Sequence, residues 1–288
     1  MSLIVCKFGG TSVASPERIQ MVAKKLIAKR QDGHDVVAVV SAMGKTTDEL
    51  VGLASALNDN PPAREMDRLL STGEQVSMTL LAMAIEARGY TARSFTGRQA
   101  GIETDGTHAK AKIVKAQRAH HGGGLNKGMI AVVAGFQGHR RERGHHHLAR
   151  RLRYHGRGGG ASAQTCARST PTWTVCTRPI RASARAKKLD VISYDDMLEL
   201  SGSGAGVLQM RAVEFARKFN VVIHSRSAFS DAEGTYIKEE TDMMEEAVIT
   251  GIAHDTSEVK FTIRGVPDMT GVAAKVFSAL AGNAVSVD

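Results

Sequence analysis

Short apolar runs alternate with longer segments of helical periodicity along most of the chain, and this alternation limits the fold more than any other feature. The run at 3–6 ends at a glycine pair, and an amphipathic helix follows with Ser15 as N-cap and Pro16 in its first turn. Further strands are predicted at 36–40, 129–134 and 221–224, and further helices at 46–57, 65–88, 190–200 and 207–219. Strand, loop and helix in this order predict a mostly parallel sheet covered by helices on both faces.

The segment 139–188 interrupts this pattern. It holds 11 Arg, 2 Lys and one Glu, a net charge of +12, so the rest of a chain of net charge +9 carries −3. The basicity invites a nucleic-acid interpretation, but the Arg residues follow no helical or strand period and no known RNA or DNA motif accompanies them. The cluster His145-His146-His147 lacks the partner ligands of a metal site. We expect this segment to be irregular, mobile and readily cut by trypsin, and to supply no buried strand.

The remaining composition is that of an ordinary enzyme. No apolar run is long enough to span a membrane. The N-terminal apolar run is too short for a signal peptide, because a charged residue already follows at Lys7. Cys6, Cys166 and Cys176 show neither disulfide density nor metal-ligand spacing. We therefore expect a reducing, cytoplasmic setting with no membrane and no nucleic-acid partner.

A first candidate site follows the first strand, at Lys7-Phe8-Gly9-Gly10. Adjacent glycines between a strand and a helix let the backbone approach a ligand, and their N–H groups can bind phosphate. Lys7 would add a point charge for the oxygens of a transferring phosphoryl group. The alternative is a tight turn with a solvated lysine. The order Gly-Lys-Ser/Thr of a Walker A loop is missing.

A second candidate is Glu74, in Ser-Thr-Gly-Glu-Gln at 71–75. One interpretation places Glu74 in a first helical turn, where an acid complements the helix dipole and Ser71 or Thr72 is the cap. The other has Glu74 facing a cationic group on a substrate. The residues alone leave both open.

Taken together, the motifs resemble those of the aspartate kinase family, and of its actinobacterial members above all. The resemblance rests on Lys-Phe-Gly-Gly-Thr-Ser at 7–12, Val-Ser-Ala-Met-Gly at 40–44, Ser-Thr-Gly-Glu-Gln at 71–75, Phe-Thr-Gly-Arg-Gln-Ala-Gly at 95–101 and Val-Ala-Gly-Phe-Gln-Gly at 133–138. The segments 197–200 and 208–214 look like the same family. The stretch 259–288 resembles the start of its ACT regulatory domain, with a strand at 259–264 and a helix at 271–281. Only 139–188 falls outside the likeness.

The resemblance implies an α/β amino-acid-kinase (carbamate-kinase-like) three-layer fold at 1–235 and a partial, ferredoxin-like ACT domain at 247–288. It implies transfer of the ATP γ-phosphoryl group to the β-carboxylate of L-aspartate. Lys7 would be catalytic and would bind ATP with Phe8, Gly9 and Gly10. The aspartate site would hold Ser41, Thr47 and Glu74. Mg²⁺ would be borne by the nucleotide, without a protein metal site.

The same resemblance implies regulation and assembly through the ACT part. Asp268, Met269 and Gly271 would open an effector site for lysine or threonine, and homo- or hetero-oligomers would form through ACT domains. Because the sequence stops in what reads as the second strand of a βαββαβ module, this module is expected to be truncated and to give no feedback response.

The chain departs from the family at Gly206, where a lysine is expected, and across 139–188. Synonymous codons for 151–156, read one base later, encode Gly-Ser-Asp-Thr-Thr, and those for 167–181, read from the third base, encode Glu-Ile-Tyr-Thr-Asp-Val-Asp-Gly-Val-Tyr. Both match loops that the family has there. We therefore expect 139–188 to be family sequence out of frame, and the chain as written to be a poor kinase. The alternatives are a kinase for another amino acid and an inactive chain that binds nucleic acid non-specifically.

Overall fold

The computed structural model of the chain describes residues 2–104, 113–116, 128–135, 137–138, 172–177, 188–239, 262–263, 265 and 269–282. At 114–116, 172–177 and 281 it describes the backbone alone. The chain divides into two compact units, Met1–His254 and Asp255–Asp288.

The first unit is built on an eight-stranded sheet of order β3-β6-β2-β1-β7-β9-β10-β8. All neighbouring pairs in it are parallel except β9 and β10, which form an antiparallel hairpin. Its strands are β1 Leu3–Phe8, β2 Asp35–Val40, β3 Ala92–Phe95, β6 Ile130–Ala134, β7 Thr172–Thr177, β8 Val191–Ser193, β9 Val222–Ser227 and β10 Thr235–Lys238. A separate antiparallel pair joins β4 Ile102–Thr104 to β5 Ile113–Ala116.

Helices connect these strands. They are α1 Pro16–Gln31, α2 Thr46–Leu57, α3 Ala63–Glu86, α4 Tyr194–Gly202 and α5 Met210–Lys218 in the first unit, and α6 Val272–Gly282 in the second. A 3₁₀ helix, Gly10–Val13, lies between β1 and α1. The start of α1 is as predicted: Pro16 is its first residue, and the Ser15 hydroxyl accepts a hydrogen bond from the Arg18 amide at 3.4 Å.

Two apolar cores, one on each face of the sheet, give the first unit three layers. Alternate residues of a strand point to opposite faces, and β1 and β2 divide accordingly: Cys6 and Ala38 belong to one core and Val5 and Val37 to the other. The first core is closed by α1 and α3, and the second by α4 and α5. This confirms the predicted three-layer fold with a mostly parallel sheet.

Three local predictions are wrong. The segment predicted as a helix at 190–200 begins as strand β8, and α4 starts only at Tyr194, where the Ser193 hydroxyl caps it by accepting from the Asp196 amide. The helix predicted from 207 begins at Met210. The expectation that 139–188 contains no strand fails at β7, which lies between β1 and β9. Its sequence, Thr-Trp-Thr-Val-Cys-Thr, carries no charge and consists mostly of residues with high strand propensity.

The loop 231–234, which reads as a linker, is the turn of the β9–β10 hairpin, so the sheet continues past residue 235. In the second unit, α6 matches the helix predicted at 271–281. The strand predicted at 259–264 lies almost wholly outside the described residues, as do Asp268, the histidine cluster and most of 139–188. None of the helices in the described part has both the length and the apolar character needed to cross a bilayer.

Candidate active site

Strands β1, β2 and β6 end side by side, since Phe8 pairs with Val40 and Val40 pairs with Ala134. The polar and glycine-rich segments that follow these strands therefore lie at one edge of the sheet. Ligands of open α/β sheets bind outside the carboxyl ends of the strands. The α3 helix passes over this edge, and we call Lys7, Ser41 and Glu74 together the strand-end site.

Lys7 is the cation of the strand-end site. Lys7 is only 5% exposed, and its Nζ donates hydrogen bonds to the Ser41 hydroxyl at 2.7 Å and to the Phe8 carbonyl at 3.0 Å. Burial lowers the pKa of Lys7 from 10.5 to about 8, although the Glu74 carboxylate acts in the opposite direction. The alternative of a solvated lysine in a simple turn is therefore wrong, because this ammonium is buried and oriented.

Glu74 lies in the interior of α3 and not in its first turn. The helix begins at Ala63, and the Ser71 and Thr72 hydroxyls donate back to the Arg68 and Leu69 carbonyls, so neither is a cap for Glu74. The helix-start interpretation is wrong. A carboxylate this deep in a helix, at 5% exposure, gains little from the helix dipole. Its electrostatic effect on Lys7 places its charge beside that cation instead.

Two glycines let the backbone elements of the edge meet closely. A Cβ on Gly10 would come within 2.6 Å of the Ala42 carbonyl oxygen, and a Cβ on Gly73 within 2.8 Å of the Ala42 Cβ. Gly73 therefore costs α3 some intrinsic helix stability but lets it approach the end of β2. Apart from its chain neighbours, no described residue has an atom within 4 Å of a Cβ built on Gly9, so that side of the loop is open toward the described part of the chain. An open glycine next to a buried cation fits the phosphates of a nucleotide.

Sequence reasoning missed two buried polar residues, Gln137 and Ser77. The Gln137 amide nitrogen donates to the Ser71 carbonyl at 2.9 Å, and its oxygen accepts from the Gly97 amide at 3.4 Å. The Ser77 hydroxyl donates to the Ser41 carbonyl at 2.7 Å. Gln137 lies in the motif at 133–138, and Ser77 follows Glu74 by three residues on the same helical face. That spacing was the available signal.

Comparison with known proteins identifies the family of this chain. The model of the Amino acid kinase family matches residues 2–167, more than half of the chain. The aspartokinase of Mycolicibacterium smegmatis is 45% identical over 300 aligned positions, which cover all of this chain and 70% of that protein. The chain belongs to the aspartokinase family. It is therefore a phosphotransferase of the amino-acid-kinase fold, an aspartate kinase, as the resemblance implied.

Solved structures agree with this. The aspartokinase of Synechocystis matches with a TM-score of 0.69 and 40% identity, over 83% of this chain and 40% of that one. Aspartokinase III of Escherichia coli, in complex with aspartate and ADP, matches with a TM-score of 0.78 and 20% identity, over 99% of this chain and 75% of that one. The same enzyme with lysine and aspartate gives a TM-score of 0.68 at 19% identity, over 99% and 76%.

Of the residues predicted to serve an aspartokinase reaction, the structure brings Lys7, Ser41 and Glu74 together. Gly9 and Gly10 continue directly from Lys7 and Phe8. Thr47 lies in the first turn of α2, half-buried, in the helix that packs on α3. Met269 and Gly271 precede α6 in the second unit. Within the described ranges, no group of three or more His, Cys, Asp or Glu side chains is arranged to hold a metal ion.

Proposed function

We propose that the strand-end site carries the aspartokinase reaction of this chain, with Lys7 acting on the phosphoryl group and Glu74 on the amino acid. The carrying observation is that the buried Lys7 ammonium donates to the Ser41 hydroxyl and interacts electrostatically with the buried Glu74 carboxylate at one edge of the sheet. A β-carboxylate oxygen of aspartate would attack the γ-phosphorus of ATP. The bond from that phosphorus to the bridging oxygen would break, which gives 4-phospho-L-aspartate and ADP.

Each protein group has a defined task in this proposal. The Lys7 ammonium supplies positive charge where negative charge spreads over the transferring oxygens, and its hydrogen bond to Ser41 fixes its direction. Glu74 accepts hydrogen bonds from the substrate ammonium, with Ser41 and Thr47 beside it. Phe8, Gly9 and Gly10 present backbone to the nucleotide phosphates. Mg²⁺ would arrive with the nucleotide and neutralise charge on its phosphate oxygens.

The test of the amino-acid site is Glu74→Gln. Loss of the negative charge removes a charge-assisted hydrogen bond to the substrate ammonium, so we expect the KM for aspartate to rise roughly tenfold or more. The KM for ATP should change much less. The assay is aspartate-dependent ADP release by the chain or, where turnover is too low for kinetics, by the version with the reading frame restored.

Glu86→Gln is the matched control for Glu74→Gln, because Glu86 is an exposed acid on the same helix. It should leave both KM values unchanged. A folded Glu74→Gln enzyme with the wild-type KM for aspartate would remove Glu74 from the substrate site and leave it a structural partner of Lys7.

We also propose that the second unit serves regulation and assembly. Helix α6 reads Val-Ala-Ala-Lys-Val-Phe-Ser-Ala-Leu-Ala-Gly, yet none of its described residues is buried, and Phe277 is 57% exposed. A further ACT segment or a partner's ACT domain would cover such a helix, giving homo- or hetero-oligomers. Met269 and Gly271, with Asp268 beside them, would then open a lysine or threonine site. Lysine is bound in the E. coli structure.

The setting we propose is cytoplasmic and reducing. In its favour, Cys6 lies in the central strand β1 as a buried thiol. A buried thiol of this kind behaves as a small apolar side chain.

A further inference from the structure

Two hydrogen bonds, each donated by a buried side chain, attach α3 to the sheet on either side of Glu74. On the N-terminal side the Gln137 amide donates to the Ser71 carbonyl at 2.9 Å, which ties α3 to the segment after β6. On the C-terminal side the Ser77 hydroxyl donates to the Ser41 carbonyl at 2.7 Å, which ties α3 to the end of β2. Gln137 is 1% exposed and Ser77 is fully buried. The turn that bears Glu74 is thus held at both of its ends.

The bond from Ser77 has a special position because Ser41 is bonded at both its backbone and its side chain. Its carbonyl accepts from Ser77, and its hydroxyl accepts from Lys7 at 2.7 Å. One residue therefore joins the helix of Glu74 to the ammonium of Lys7. The Ser77 Oγ also lies 3.1 Å from the Glu74 carbonyl oxygen, but the shorter bond crosses to the sheet.

We propose that Ser77 is a positioning residue for phosphoryl transfer, which through Ser41 sets the separation between Glu74 and Lys7. The inference rests on the proposed function of these two residues. Ser77 is fully buried and its hydroxyl is bonded to backbone carbonyls, so the proposal gives it no substrate contact. Its effect would come through geometry, because the two reactants must meet with an accuracy that a shift of about 1 Å would spoil. Close packing at Gly73 fixes how near α3 lies to β2, and the Ser77 hydroxyl fixes its position along the strand end.

A positioning role differs from simple packing in its effect on Lys7. Burial lowers the pKa of Lys7, and the negative charge of Glu74 raises it. If the helical turn that bears Glu74 moves away from Lys7, the lowering by burial is offset less. Loss of the Ser77 hydroxyl should therefore let Lys7 lose its proton at a lower pH than in the wild-type protein. A hydroxyl that only stabilised α3 would lower the melting temperature and leave the titration of Lys7 where it was.

The experiment compares Ser77→Ala with Thr79→Ala. Thr79 is the matched control because its hydroxyl bonds to the Gln75 carbonyl within α3 and not across to the sheet. We expect Ser77→Ala to lower kcat/KM for aspartate roughly tenfold to a hundredfold and Thr79→Ala to leave it nearly unchanged. Labelling of the Lys7 amine against pH, followed by mass spectrometry of its peptide, should show half-reaction at a lower pH in Ser77→Ala alone.

The labelling arm keeps the inference separate from the proposed function, since it needs no turnover. If neither protein phosphorylates aspartate but the Lys7 titration still moves, the function fails and the positioning stands. A Lys7 titration that is unmoved or shifts upward in Ser77→Ala overturns the proposal, as does an equal kinetic loss in Thr79→Ala. Should Ser77→Ala not fold, Ser77→Cys keeps the volume with a weaker donor, and an unmoved titration in it is equally decisive.

Discussion

Lys7 shows how one residue acquires its chemistry from its neighbours. At the end of an apolar strand its side chain is buried, and the Ser41 hydroxyl and the Phe8 carbonyl accept hydrogen bonds from its ammonium group. Burial lowers its pKa to about 8, so Lys7 is still mostly protonated at neutral pH but sits near the point of losing its charge. A cation that is desolvated in advance acts on a phosphoryl group more strongly than one in water.

We predict that kcat falls as pH rises through about 8, because the positive charge at Lys7 is lost there. Lys7→Ala should lower kcat by about a hundredfold or more while the KM for aspartate changes little. Lys7→Arg keeps a charge at all these pH values and should lose the alkaline limb, whatever its absolute rate. Rates measured from pH 6.5 to 9.5 check this.

The control for Lys7→Ala is Lys24→Ala, which removes an exposed lysine from α1. It should keep the wild-type rate and pH profile. An alkaline limb that persists unchanged in Lys7→Arg would assign the limb to another group.

At the scale of elements, periodicity predicted helices and strands better than it predicted what lies within them. The sequence pattern gave α2 with its observed ends and α3 to within two residues of each. It did not show whether Glu74 starts a helix or lies inside one, because Ser, Thr and Gly at 71–73 are weak helix formers that occur readily at caps. The contact of Gly73 with Ala42, which belongs to another element, explains why the helix continues through them.

Strand β7 is an element that the average composition of its segment did not predict. A basic average over 139–188 predicted no strand, but 172–177 is a short uncharged stretch within it. Its partners, β1 and β9, come from distant parts of the chain, and a sheet with a gap between them provides unsatisfied backbone groups on both sides. Spacing and motif could have pointed to Ser77 and Gln137, but their hydrogen-bond partners could not be predicted, since each partner belongs to another element.

The β9–β10 hairpin carries a histidine that should make stability depend on pH. His224 is buried, its ring stacks on Tyr236 at 3.9 Å, and its Nε2–H donates to the Glu233 carbonyl. Burial lowers the pKa of His224 from 6.5, with Arg226 and Lys29 acting in the same direction and Glu233 against them. The folded protein therefore holds the proton less readily than the unfolded chain.

This difference in proton binding sets the direction in which pH changes stability. Below about pH 6.5 His224 binds a proton in the unfolded chain that it does not bind in the folded protein. The contribution of His224 to folding stability is therefore present above this pH and is lost as pH falls through the folded pKa. We predict that the melting temperature drops between pH 7.5 and 5.5, and that His224→Gln shows a smaller drop from a lower starting value, because the stack on Tyr236 is weakened. An equal drop in both proteins would assign the pH dependence to other groups.

For the whole molecule, the question is how the strand-end site works together with the segment 139–188. The fold accommodates a strand at 172–177, so the backbone of the sheet is continuous through β7. Backbone hydrogen bonds need no particular side chain, but substrate contacts do. Synonymous codons for this segment, read in a shifted frame, can encode Gly-Ser-Asp-Thr-Thr and Tyr-Thr-Asp-Val-Asp, and where these motifs carry acids this chain has arginine and neutral residues.

We therefore predict that the chain as written turns over aspartate at least roughly tenfold more slowly than a version with the frame of 139–188 restored. The reason is electrostatic: a segment of charge +12 cannot stand in for carboxylates, and the loss of even one oriented charged contact costs about 1.5–3 kcal/mol, or tenfold and more. Both proteins share Lys7, Ser41 and Glu74, so the comparison isolates the segment. Aspartate-dependent ADP release, measured side by side, is the readout, and comparable turnover from the two proteins would refute the frame argument.

We also expect lysine plus threonine to leave the rates of both proteins unchanged. None of the described residues of α6 is buried, so the helix that follows the proposed effector site at 268–271 is left uncovered within the described part of the chain. The same assay, run with and without the two amino acids, checks this, and clear inhibition would show that the effector site is complete as it stands.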